Sequence, residues 1–162
     1  MQKATAMKRF LLLLSAASAL TVQAGMSQQL IIGSKAPEIK PAAWYEGRAP
    51  QCEGCPYLVE FFHSSERNAA RRITVLDSLA SRLDGRLAVV MVVRESADKL
   101  SAVPGFGNAK RLHVALDGEG KTFAAFEVQF VPYAIMTDRR GRVAWLGNPA
   151  SLTEADIEKI IR

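Results

Sequence analysis

The chain has 162 residues, 49% of them hydrophobic, and its 21 Lys and Arg outnumber its 16 Asp and Glu for a formal charge of +5. That length suits one domain with a single core. Its basic groups, Lys110-Arg111, Arg139-Arg140 and Arg142, are short and carry no interleaved aromatics, which argues against a nucleic-acid surface.

Lys3, Lys8 and Arg9 precede an apolar run from Phe10 to about Leu20, and Val22-Gln23-Ala24 forms a small-x-small site before Gly25. This is the layout of a secretory signal peptide over residues 1–24. The run is shorter than the roughly 20 apolar residues that cross a bilayer, and no later segment is long enough. We therefore expect an exported protein with no stable membrane insertion after cleavage. It would be periplasmic in a Gram-negative bacterium and extracellular otherwise. Removing the three basic residues lowers the charge from +5 to +2, so part of the basicity belongs to the leader.

Residues 25–56 read as an N-terminal extension and irregular lead-in, interrupted by Pro37, Pro41 and Pro50. Within it, Trp44-Tyr45-Glu46-Gly47 reads as a turn with aromatic cover for the core. The folded core is expected over 57–162. Tyr57 to Phe62 is a buried strand by its branched and aromatic content. His63-Ser64-Ser65 makes a polar turn. Ser65 is a candidate N-cap, and Glu66 falls in the first turn of a helix running to about Leu83. Ile73, Leu76, Leu79 or Ala80, and Leu83 supply that helix's apolar stripe. Leu87 to Val93 is apolar nearly throughout, as expected of a central strand. A short helix begins near Ser96, and another turn is expected over Ala109 to Leu112. A strand follows at His113 to Leu116 and a helix at Thr122 to Glu127. Ala134 to Thr137 and Arg142 to Leu146 form a hairpin. A final helix is capped by Ser151 or Thr153. The order predicts an α/β fold, a central mixed sheet flanked by helices.

The two cysteines form one CxxC pair, Cys52-Glu53-Gly54-Cys55, just before the first long strand. Two cysteines at this spacing are the smallest common dithiol unit, and an oxidising compartment lets them persist as a disulfide. Such a bridge closes a small loop and constrains the unfolded chain less than a long-range bridge would. Three roles fit the pair: a redox couple, a static local disulfide, or half of a metal site. The last would need both His63 and His113 to converge on it. No metal and no cofactor is expected.

Several phrases resemble secreted thioredoxin-like proteins of the thiol-disulfide reductase and peroxiredoxin superfamily. They are Gly33-Ser34-Lys35-Ala36-Pro37, Leu58 to Ser64, Leu116 to Lys121, and Val131-Pro132-Tyr133 with the hairpin that follows. The resemblance spans nearly all of 31–162 and implies a thioredoxin-like fold. It also implies a cis proline at Pro132 that faces the redox site. In that superfamily the redox CxxC stands at the helix start, where the matching window here is Glu66-Arg67-Asn68-Ala69. The usual site therefore has no cysteine. Ser64 and Ser65 do not replace one, because a serine hydroxyl needs a general base. The chain's own pair lies upstream, separated from the Ser65 turn by roughly 20 Å of extended strand at about 3.3 Å per residue, near the opposite sheet edge from Pro132.

Two functions follow as expectations. One is an exported thiol-disulfide oxidoreductase with Cys52 attacking and Cys55 resolving, its partners protein thiols or disulfides. The other is a redox-inactive thioredoxin-fold binding or accessory module, holding a peptide partner on His63, Ser64, Ser65, Glu66, Val131, Pro132 and Tyr133.

Overall fold

The computed structural model describes residues 30–162; the expected signal peptide lies outside the described residues. A mixed sheet of six strands carries the fold: β1 (Ala43–Trp44), β2 (Tyr57–Phe61), β3 (Ala88–Val93), β4 (His113–Leu116), β5 (Tyr133–Thr137) and β6 (Val143–Gly147). Their order across the sheet is β1-β4-β3-β2-β5-β6. β2, β3 and β4 run parallel, while β1, β5 and β6 are antiparallel to their neighbours. Four helices accompany it: α1 (Ala69–Arg82), α2 (Ala97–Ser101), α3 (Lys121–Ala125) and α4 (Glu154–Ile161). The lead-in contributes to the sheet as well, since β1 pairs with β4 and a bridge joins Lys35 to Arg142.

Strand alternation divides the core in two. Leu58 and Phe62 face α1 and α4, meeting Ile73, Leu76, Ile157 and Ile161. Val59 and Phe61 face the other way, toward Phe126, Val90 and Val92. β3 is buried at every position, as a central parallel strand covered on both faces must be.

Two local expectations are corrected. Ser65 does not cap α1. Two turn bonds, Glu66 N–H to the His63 carbonyl (3.1 Å) and Ala69 N–H to the Glu66 carbonyl (3.0 Å), precede the helix. The Ser65 hydroxyl points back to His63 Nδ1 at 2.8 Å instead of forward to free amides, and the N-cap is Asn68. Nor is Ala109 to Leu112 a helical turn. The amides of Arg111 and Leu112 donate to one oxygen of Asp77 on α1, at 2.6 and 2.9 Å, which delivers the chain extended into β4. The final helix keeps its expected start: Thr153 and Asp156 exchange bonds in a capping box.

Asp117 shows how a buried polar group organises this fold. It is 1% exposed and accepts from the amides of Thr122 (3.1 Å) and Phe123 (2.9 Å) at the start of α3. Asp117→Ala leaves two amides without a partner and should cost about 2 kcal/mol. Urea denaturation of the variant checks this, and a loss below about 0.5 kcal/mol, the range of ordinary surface changes, would refute it.

Candidate functional site

Two groups of candidate residues leave opposite ends of β2. At its C-terminal end, Phe61 pairs with Tyr133, so the His63 turn and the Val131-Pro132 turn emerge side by side. The Val131–Pro132 peptide bond is cis. Phe130 is 67% exposed and stands edge-on to Tyr133 at 6.0 Å. Tyr133 in turn lies 6.5 Å from Phe61. Burial pushes the Tyr133 phenol upward. The candidates His63, Ser64, Ser65, Glu66, Val131, Pro132 and Tyr133 thus belong to one pole of the molecule.

The His63 turn is held by hydrogen bonds rather than by a cysteine pair. Glu95, just beyond β3 and almost buried, accepts from Ser64 N–H at 2.6 Å and from the Ser64 hydroxyl. His63 Nε2 lies 3.6 Å from the same carboxylate. Glu66 accepts from His63 N–H at 3.3 Å. Burial raises the Glu66 carboxyl; the His63 amide bond opposes that shift, and the nearby Glu60 charge adds to it.

Three members of this pole escaped the sequence reading: Glu60, Arg72 and Glu95. Glu60 is fully buried in β2, and its carboxylate receives Arg72 Nε at 2.6 Å and Arg72 Nη2. Burial raises the Glu60 carboxyl, and Arg72 pulls it back. A signal existed for the pair. Glu60 is the one acid in the apolar run 57–62, and Arg72 falls between Ala69 and Leu76 on the inward stripe of α1.

The other end of β2 carries Cys52 and Cys55, joined as a disulfide with their Cα atoms 5.5 Å apart. The pair closes a turn in which Cys55 N–H approaches the Cys52 carbonyl at 3.5 Å. Gly54 takes φ = 70°, a value that suits glycine. Both cysteines are half-buried, while Glu53 and Gly54 between them are exposed. The carbonyl of Gly85, beyond α1, lies 3.9 Å from Cys52 Sγ and 3.6 Å from Cys55 Sγ. The turn runs directly into β2, so the cysteines do not open a helix. The distance from Pro132 lies along the strand, from one end of the central β2 to the other, rather than from edge to edge of the sheet.

Neither histidine reaches the cysteines. His63 stands at the far pole, and His113 Nδ1 sits 3.1 Å from the Arg48 carbonyl. Among the described residues no cluster of three or more His, Cys, Asp or Glu is placed to hold a metal ion.

No protein-family model matches the chain, and no curated protein matches it. Solved structures do. A protein of Chlorobium tepidum provisionally described as thiol:disulfide interchange protein DsbE superposes with a TM-score of 0.68 at 22% identity, over 82% of this chain and 99% of its own. The thioredoxin domain of a thiol-disulfide oxidoreductase from Bacteroides vulgatus gives 0.64 at 15% identity, over 82% and 99%. A thiol-disulfide isomerase from Corynebacterium glutamicum gives 0.61 at 16% identity, over 79% and 94%. At these identities the likeness establishes the fold alone: the chain has a thioredoxin-like α/β fold. Its disulfide lies upstream of the loop that carries the usual active site of that fold.

Proposed function

We propose that this is an exported thiol-disulfide oxidoreductase whose redox couple is Cys52–Cys55. One observation carries the reading: the chain's two cysteines are joined in a half-exposed surface turn outside the core, where a partner can approach the sulfurs. Export is read from the basic, apolar and small-residue segments of 1–24. The names of the structural neighbours agree with a thiol-disulfide role. In the oxidised form, a partner thiolate attacks Cys52 Sγ. The Cys52–Cys55 bond breaks, and Cys55 leaves as a thiolate that takes up a proton. A second partner thiolate then attacks the mixed disulfide and releases Cys52. The partner dithiol is oxidised to a disulfide, and the protein gains two electrons as a dithiol.

The surroundings make this a slow couple. A carbonyl oxygen beside the sulfurs accepts from a neutral thiol and repels a thiolate, and the acidic Glu53 adds repulsion. Thiols activated at a helix N-terminus have the opposite environment. The reduced cysteines should therefore lack the enhanced acidity of a thiol at a helix N-terminus. The pH dependence of iodoacetamide alkylation measures this, and a midpoint below about 7 would contradict it.

A second reading rests on Phe130, exposed on Tyr133 beside Pro132. In this reading the protein is a redox-inactive binding module that holds a peptide at the cysteine-free pole. Exchange with a model protein disulfide separates the two. If Cys52–Cys55 is the couple, Cys52→Ser abolishes exchange and Cys55→Ser accumulates a mixed disulfide. If Cys52→Ser stays folded and matches the wild-type rate, the binding module is the function. Substitution of Glu66 or Tyr133 then tests the partner contact.

A further inference from the structure

The two faces of the sheet are covered unequally. α1 and α4 pack along one. The other receives the five-residue α3 and the strap formed by the lead-in, which is tied to the edge by Gly33 N–H to the Val143 carbonyl (2.7 Å) and Ala36 N–H to the Gly141 carbonyl (2.9 Å). Between strap and sheet a cavity of about 590 Å³ stays open. That volume falls among small-ligand sites, roughly 300–1,000 Å³. Buried Val59 and Phe126 line it, and half-buried Trp44 and Tyr57 add aromatic wall.

Charge at this cavity has one sign to spare. Two charged side chains line it, Lys35 and Glu38. Glu38 is neutralised by Lys40 at 2.9 Å. Lys35 is exposed and takes part in no ion pair among the described residues. An apolar chamber with an uncompensated ammonium selects a ligand with an apolar body and one negative end. We propose that this cavity binds a small amphipathic monocarboxylate, its aliphatic or aryl chain against Val59 and Phe126 and its carboxylate on Lys35. The site uses no thiol chemistry, so it stands or falls separately from the redox reading.

Sodium octanoate tests the proposal on the disulfide-bonded full chain, with octyltrimethylammonium as the cationic control of equal chain length. Titration calorimetry should show saturable one-to-one binding of octanoate, at least about fivefold tighter than the ammonium amphiphile. Tryptophan fluorescence should change with it, and that change should vanish in Trp44→Phe. Lys35→Glu should weaken octanoate by roughly fivefold or more without lowering thermal stability, because the side chain is exposed. Ala49→Phe, which narrows the cavity, should abolish binding. If that variant fails the circular dichroism control for folding, Lys35→Glu decides the question. Absence of saturable octanoate binding, equal affinity for the cationic amphiphile, or an unchanged octanoate affinity in Lys35→Glu would each overturn the proposal.

Discussion

Arg72→Ala should destabilise the protein by about 3 kcal/mol at pH 7, because it strands the Glu60 carboxylate in the core. Glu60 is fully buried, whereas about a quarter of the Arg72 side chain remains exposed, so the lower end of the range for broken buried pairs applies. The loss should depend on pH. Burial raises the Glu60 carboxyl in the folded protein above its ordinary value, near 4.5. The native state then holds that proton more tightly than the unfolded chain does. The Glu60 contribution to stability falls as pH rises from the unfolded value through the folded one. Without Arg72 the folded value climbs further, so the variant's deficit is largest at neutral pH and shrinks as pH falls toward 4.5. Urea denaturation of wild type and variant at pH 7 and pH 5 measures the difference of differences. An equal deficit at both pH values would exclude Glu60 as its source. Replacing both residues with leucine should cost less than Arg72→Ala alone, since no charge is left buried.

The second large effect is expected at Phe61. Its ring is fully buried and meets Phe123 at 4.9 Å, Phe126 at 5.3 Å and Tyr133 at 6.5 Å. Phe61→Ala opens a cavity among these rings and should cost about 4 kcal/mol. It should also loosen the pole that carries Phe130, Pro132 and Tyr133, because Tyr133 is both the strand partner of Phe61 and its aromatic neighbour. Denaturation measures the first effect. Faster amide exchange at Tyr133 than at Met136, relative to wild type, would report the second. A loss below about 1.5 kcal/mol would mean that Phe123 and Phe126 close the gap.

Much of the fold was legible because its signals are local. The apolar runs at 57–62 and 87–93 became β2 and β3 with one-residue trims at their ends. The hairpin expected over Ala134 to Thr137 and Arg142 to Leu146 became β5 and β6. The start of α1 departs from its local signal because Ser65 has a competing partner, His63 Nδ1, two residues away. The path before β4 carries no local signal because the group that holds it, Asp77, lies 34 residues upstream of Arg111. At the candidate sites, Glu60 and Arg72 were passed over for a similar reason: each interrupts an apolar pattern, and only their mutual contact explains both interruptions.

The sequence by itself determined the separation of the cysteines from the turn at the far end of β2. Five residues of strand stand between Cys55 and the end of β2, and a strand is too stiff to fold back on itself. It also determined the absence of a dithiol at the start of α1, a matter of residue identity. Tertiary structure decided the rest. It brought the Gly85 carbonyl to the sulfurs across 30 residues from Cys55, set Arg72 on the buried Glu60, and left one face of the sheet open beneath the strap. These features depend on how separate elements pack; residue spacing marks Glu60 and Arg72 as exceptions in their own apolar patterns and does not pair them.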